Sequence, residues 1–302
     1  MSEVEKSENK HNEGMPTTAP TLKRFDARLT DRDFDRFSKL VYDHCGIKLH
    51  SHKRSMLEAR LRKRLREHTL SSFEEYAELI FSKDEPTEEL IKLIDVVTTN
   101  KTDFFREPAH FDYLIRSALP FLIETYGAGI NEPLRIWSAG CSTGMEPYTI
   151  AMVLKEFQLE QAGFSFDILG TDICTDVLEK SVLGIYPEIK AAPIPEKLKK
   201  KYLLRSKDPE NQMVRIVPEL RSLARFRRLN FMDDDFGFRE PFDIIFCRNV
   251  IIYFDRPTQE KLLSKLVDNL ASGRYIFLGH SETLLGLNLP LKQMAPSVYR
   301  KI

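Results

Sequence analysis

Arg135-Ile136-Trp137-Ser138-Ala139-Gly140-Cys141-Ser142-Thr143-Gly144-Met145-Glu146-Pro147 is the stretch on which the reading of the fold turns. Leu134 to Ser138 is a short apolar strand, a turn with two glycines follows, and helical spacing runs from about Pro147 to Gln161. In a doubly wound sheet such a turn lies at the carboxyl edge of the strands, where ligands bind. Its G-x-x-x-G spacing is not the dinucleotide fingerprint. Glu146 at the helix start also opposes a pyrophosphate, which needs bare N–H groups there. A carboxylate at that place suits a ligand with a cationic amino group, such as the methionine part of S-adenosylmethionine. Asp172 ends the next strand, Phe166 to Gly170 and beyond, where an acid can accept from both ribose hydroxyls. Read blandly, the same residues are a tight turn with a helix-capping Glu and a strand-end Asp.

Alternation continues outward from this unit. Thr175 caps a helix, Phe242 to Cys247 is a strand, Pro257 to Leu270 a helix, and Tyr275 to Leu278 a strand. Val298 to Ile302 reads as a final edge strand. The alternation implies a mainly parallel sheet with helices on both faces. From about 187 to 224 it breaks down in a segment with Pro193, Pro195, Pro209 and Pro218. That segment reads as an insertion holding a helix and a small hairpin. A helical stretch from Pro108 to Tyr126, interrupted at Pro120, precedes the sheet.

Before Thr98 the pattern is helical throughout. Thr30 with Asp33 resembles a capping box ahead of Phe34, Phe37, Leu40 and Val41, and Gly46 offers a stop. Leu57, Leu61 and Leu65 mark a second helix, Ser72 with Glu75 caps a third, and Pro86 opens a fourth with Leu90, Ile91, Ile94 and Val97 inward. Residues 1–21 are polar and read as a disordered tail. The division is therefore tail (1–21), helical domain (22–97) and α/β domain (98–302).

With 42% hydrophobic and 30% charged residues in 302, the chain can bury a core without staples. Net charge is zero and selects no partner. Cys45, Cys141, Cys174 and Cys247 are far apart, which argues for free thiols and against a metal cluster. No run is long and apolar enough for a membrane span. A cytoplasmic monomer without a metal, a nucleic-acid partner or direct membrane insertion is the expectation.

Three further strings carry a resemblance: Thr98-Thr99-Asn100-Lys101-Thr102-Asp103-Phe104-Phe105-Arg106-Glu107, the pair Asn230-Phe231, and Phe242 to Phe254 (FDIIFCRNVIIYF). Together with SAGCSTGMEPYTIAM they look like the chemotaxis receptor methyltransferases of the CheR family, in matching order from about Phe25 to the C-terminus. Met145 departs from the acid that many relatives carry. The resemblance implies a helical N-terminal domain, a Rossmann-like S-adenosylmethionine-dependent methyltransferase domain and a small inserted β-subdomain. It implies S-adenosylmethionine contacts from Asn100, Thr102, Arg106, Glu146, Asp172, Asn230, Phe231, Asn249 and Val250. It further implies methyl transfer to receptor glutamates, on the receptor's cytoplasmic helical domain. Taken alone, either Asn230 or Asn249 reads as a turn cap.

A carboxylate acceptor is already ionised at neutral pH, so positioning matters more than a general base. Arg106, a planar fork of donors, and Tyr253 are the candidates for placing it. The bland readings are an interior ion pair and a core aromatic. His280 is read as structural. Between Lys48 and His68 eight Lys/Arg face two Glu, and Lys53, Arg60, Lys63 and Arg64 fall on one side of the helix as a docking face for an acidic helical target. In some family members a glycine-containing loop of the β-subdomain grips a receptor C-terminal peptide. Here the loop Arg205 to Gln212 has no Gly, so no such tether is expected. The alternatives are an S-adenosylmethionine enzyme acting on RNA or a small molecule, and a non-catalytic S-adenosylmethionine-binding adaptor.

Overall fold

The computed structural model describes residues 28–82, 88–208, 210–284 and 286–302. The expected tail and Pro86 lie outside them.

Among the described residues four α-helices come first: α1 (Asp31–Cys45), α2 (Arg54–Glu67), α3 (Phe73–Phe81) and α4 (Glu88–Val97). Thr30 caps α1 by accepting from the Asp33 amide at 3.1 Å, and its hydroxyl donates to the Asp33 carboxylate at 2.6 Å. The shorter acid thus meets the hydroxyl, where a Glu would reach back to the backbone. Gly46 ends the helix in the left-handed conformation. Phe34, Phe37 and Val41 of α1 pack with Leu57, Leu61 and Leu65 of α2 and with Phe73, Tyr76, Leu93 and Ile94 in one apolar cluster.

Next come α5 (Ala109–Tyr113), one wide π turn (Leu114–Ala118) and α6 (Leu119–Tyr126). The expected break at Pro120 does not occur. Proline has no N–H for the carbonyl four residues back. The preceding turn widens instead, with the Leu119 amide bonding to the Leu114 carbonyl, and Pro120 sits in the first turn of α6.

The α/β part follows as β1 (Leu134–Ala139), α7 (Met145–Glu160), β2 (Phe166–Asp172), α8 (Thr175–Leu183), β3 (Ile185–Pro187), α9 (Glu196–Tyr202), β4 (Leu203–Arg205), β5 (Met213–Ile216), α10 (Pro218–Arg221), β6 (Ala224–Arg228), β7 (Phe242–Cys247), α11 (Arg256–Asp268), β8 (Leu270–Leu278), β9 (Leu291–Ala295) and β10 (Val298–Lys301). The main sheet has the order β6-β2-β1-β7-β8-β10-β9. Its first five strands are parallel, and β10 runs antiparallel to both neighbours. Order reverses at β1, between β2 and β7, so the crevice beyond the β1 carboxyl end is the ligand position. The final strand β10 is not the edge: β9 pairs outside it.

The insertion is a three-stranded antiparallel sheet of order β3-β5-β4, one strand more than a hairpin, with α9 beside it. Its chain returns to the main sheet through β6, which delivers Asn230 to the crevice.

The helical unit is fastened to the sheet on both sides of that crevice. From α4, Asp95 accepts from the Thr175 amide (2.9 Å) and hydroxyl (2.6 Å), capping α8. On the other side Ile47 bridges Phe254, the Lys48 backbone amide donates to the Tyr253 carbonyl at 3.2 Å, and Asn230 Nδ2 donates to the His44 carbonyl at 2.6 Å.

Candidate active site

The crevice is a cleft with about 1100 Å³ of space open to solvent. Its walls come from the ends of β1, β2 and β7, from the loop 98–106, and from Cys45, Ile47, Leu49, Lys53 and Met56 of the helical unit. Asn100, Thr102, Arg106, Glu146, Asp172, Asn230, Phe231, Asn249, Val250 and Tyr253 all line it. Five separate stretches of sequence therefore meet in one place.

Gly140 has φ +79, and a Cβ there would lie 2.5 Å from Val250 Cγ2. The turn after β1 needs glycine for both reasons. Gly144 serves differently: its missing Cβ makes room for Ser181 of α8, not for a ligand.

Two acids flank this turn. Glu146 accepts from Ser138 Oγ at 2.7 Å and from Arg248 Nη1 at 3.1 Å. Burial holds its carboxyl above the ordinary value, against the pull of Arg248 and Ser138. Asp172 accepts one backbone amide on each oxygen, Ser142 at 2.8 Å and Cys174 at 3.0 Å. Burial raises it too, with those amides opposing. Each Asp172 oxygen keeps acceptor capacity for a vicinal diol.

The loop that carries Arg106 is pinned onto this turn. Ser142 Oγ donates to the Asn100 carbonyl at 3.0 Å, and the Phe105 amide to Thr149 Oγ1 at 3.2 Å. Phe105 and Glu107, either side of Arg106, both have left-handed backbone, φ 52 and φ 55. Ser142 (φ 50) and Asn249 (φ 60) share that conformation at the same cleft. Such conformations cost energy and persist where surrounding contacts impose them. Among the described residues the Arg106 guanidinium makes one long bond, to the Lys101 carbonyl at 3.3 Å, and Arg106 lines the cleft. It is not an interior ion pair. Tyr253 forms a wall with Lys53 Nζ 5.7 Å from its ring centre.

Asn230 is committed on both ends of its amide, to the His44 carbonyl and from the Met232 amide at 3.1 Å. Its side chain serves as a turn cap that also ties α1 to the sheet. Asn249 Nδ2 lies 3.4 Å from Glu107 Oε1.

The docking face is corrected. Arg64 is buried: it pairs with Glu89, Nε at 2.8 Å, and with Glu67. Arg60 bonds the Val97 and Thr98 carbonyls at the end of α4. Only Lys53, at the cleft mouth, and Lys63, exposed beside Glu67, remain available. Spacing put all four on one side but did not reveal that α4 covers part of that side.

Sequence reasoning passed over Arg248 and Glu282. Glu282 gathers four backbone amides, Gly279 (2.6 Å), Asn249 (2.9 Å), Val250 (2.8 Å) and Ile251 (2.9 Å). It thereby builds the turn that presents Asn249 and Val250. Arg248 stands inside a quoted string, yet its partners, and three of the four amides on Glu282, are distant in sequence.

His280 donates its amide to Glu107 Oε1 at 3.3 Å, and its ring packs edge-on against His110. Burial and Arg248 push His110 down to about 4, so it is neutral. Burial pushes Cys45 and Cys174 up to about 11, and Cys141 and Cys247 well above the ordinary thiol value. Protonated thiols of this kind are poor nucleophiles.

A seven-stranded sheet that reverses at β1, a glycine turn with an acid in the next helical turn and a second acid ending β2 together define a class, the S-adenosylmethionine-dependent methyltransferases. The donor chemistry fits the residues present: half-buried Glu146 for an ammonium, buried Asp172 for a diol, and Ile173, Phe231 and Val250 as an apolar wall. The chain belongs to the CheR methyltransferase family. Residues 32–98 match the CheR methyltransferase all-alpha domain, and residues 100–299 its SAM binding domain. The chemotaxis protein methyltransferase of Borreliella burgdorferi is 42% identical over 90% of this chain and 95% of its own. Chemotaxis protein methyltransferase 2 of Pseudomonas aeruginosa is 38% identical over 94% and 99%, and the Escherichia coli chemotaxis protein methyltransferase 36% over 90% and 91%.

Proposed function

We propose that this enzyme methylates glutamate side chains on the cytoplasmic helical domain of chemotaxis receptors, forming glutamyl methyl esters, and that it works in the cytoplasm as a monomer. The observation that carries the reading is Arg106, held between two left-handed residues and lining the same cleft as Tyr253. S-adenosylmethionine supplies an electrophilic methyl on a sulfonium. Glu146 receives its amino group and Asp172 its ribose hydroxyls, while Asn100, Thr102, Phe231, Asn249 and Val250 enclose the rest.

Arg106 orients the incoming carboxylate with its planar fork, and Tyr253 forms the wall against which the acid lies. The pairing must stay loose, because tight ground-state binding would quench the nucleophile. No residue need remove a proton, which accords with a neutral buried His110 and protonated thiols. Orientation and exclusion of water supply the rate, and well-aligned reactants gain about 7–11 kcal/mol that way.

The helical unit, residues 22–97, is proposed to dock the receptor through Lys53 and Lys63, with steering by charge. The loop 205–212 has no glycine to open a peptide groove, so the proposed enzyme works without a receptor C-terminal tether. Calorimetry with such a peptide that registers tight binding sinks that part.

The deciding experiment incubates the chain with labelled donor and a receptor cytoplasmic fragment, then maps base-labile esters. Label on glutamates is expected. Label transferred to RNA and not to the fragment overturns the assignment.

A further inference from the structure

Arg248 lines the cleft, and its bonds join the two sides of the proposed reaction. It leaves the carboxyl end of β7 with its side chain 2% exposed. Nη1 reaches Glu146 at 3.1 Å, while Nη2 and Nε reach Glu107 Oε2 at 3.0 and 3.3 Å. Nη2 also donates to the carbonyl of Arg106, and the guanidinium lies over the Phe111 ring, 5.6 Å from its centre. One planar group thus spans the acid of the donor turn, the acid next to Arg106 and the backbone of Arg106 itself.

The groups that face Glu146 come from four places. Ser138 comes from β1, Arg248 and the Cys247 thiol from β7, Cys141 from the turn, and Glu107 from the loop before α5. Arg248 is the one cation among them. Without it, two carboxyl groups confront each other in a desolvated corner, and one takes a proton.

We propose that Arg248 is a positioning residue that acts on both halves of the site at once: its charge balances Glu146 on the donor side, and its fork fixes the Arg106 backbone on the acceptor side. The proposal rests on the assignment of those two sides above. Lysine cannot replace it, because a single ammonium lacks the fork that bridges separated acceptors.

The test uses the full chain, with S-adenosylhomocysteine as the calorimetric probe between pH 6 and 8 and initial rates on the receptor fragment. Wild-type affinity stays flat across that range. Arg248→Gln binds about tenfold more weakly at pH 7 and recovers as pH rises, because Glu146 must first lose a proton. Adding Glu146→Gln removes that pH dependence and so identifies the titrating group. Arg248→Lys keeps affinity within a few-fold but lowers kcat by more than about tenfold, because Arg106 loses its backbone anchor. Melting curves check the fold, and the lysine variant retains the charge if the glutamine variant is unstable.

Affinity of Arg248→Gln that is as strong and as flat as wild type overturns the proposal. So does Arg248→Lys with wild-type kcat. If the wild type labels no receptor glutamate, the substrate assignment falls by itself, and the binding measurements still judge the Arg248–Glu146 link.

Discussion

Arg106 and Glu282 show how differently single residues serve this cleft. Arg106 is held by its backbone and has a side chain with little to bond inside the protein. Arg106→Ala should therefore leave the melting temperature nearly unchanged while turnover falls about a hundredfold, as loss of alignment at a reacting centre does. Wild-type turnover in that variant removes Arg106 from the mechanism. Glu282 is the reverse case, a buried side chain spent entirely on four amides. Glu282→Ala leaves those donors without their acceptor. Chemical denaturation should show a loss of about 3 kcal/mol, accompanied by weaker S-adenosylhomocysteine binding.

At the scale of elements, the turn between β1 and α7 and the cap of α8 carry the argument. Gly140→Ala must adopt φ +79 and meet Val250 at 2.5 Å. Gly163→Ala must adopt φ +76 with nothing within 4 Å. Both pay the left-handed cost of about 1–2 kcal/mol, and only the first should distort the donor turn. Calorimetry should then find S-adenosylhomocysteine affinity reduced in Gly140→Ala and preserved in Gly163→Ala. Equal affinities contradict the role given to the turn. Asp95, on α4, caps α8 from outside its own element. Asp95→Ala should cost about 1–2 kcal/mol, the usual value of a lost cap, and loosen the attachment of the helical unit at the Asp172 side.

At the scale of the molecule, the helical unit is both a wall of the cleft and the proposed docking surface, so its own stability is tied to the site. Glu89 is its electrostatic centre, with Arg64, Tyr76 Oη at 2.6 Å and His68 Nε2 at 2.7 Å around it. Burial alone would raise its carboxyl, but Arg64, Tyr76 and His68 outweigh burial and hold it below the ordinary value. A carboxyl depressed in the folded state contributes stability above its unfolded pKa, and the contribution is lost as pH falls through the folded value. Wild type should thus lose stability as pH drops below about 4, and Glu89→Gln should show a smaller acid slope in urea melts. Arg64→Glu should cost about 3 kcal/mol or more, since it breaks a buried pair. Lys63→Glu should be neutral in stability and, if docking is as proposed, raise KM for the receptor fragment. Unchanged KM there leaves Lys53 alone at the mouth.

The strand–turn–helix at 134–161, the parallel alternation after it and the four apolar helical stripes before it were readable in the chain, because each depends on local spacing and turn chemistry. So were the lining residues, through strings long enough to carry the resemblance. Other features were not local. β6 holds three arginines in five residues, and β9 has no fully buried residue; each becomes a strand by pairing with one neighbour, β2 for β6 and β10 for β9. Pro120 stays within a helix because a wider turn needs no amide from it. Helical spacing placed Arg64 beside Lys63, and only the packing of α4 turned it inward to Glu89. Arg248, Glu282 and the Asp95 cap take their meaning mostly from partners 31 to 142 residues away. Sequence determined the elements whose spacing and turn chemistry are local, and the side chains that the cleft holds. Tertiary structure decided which charges are spent inside the protein and which face a ligand, because burial and pairing depend on neighbours that no local pattern contains.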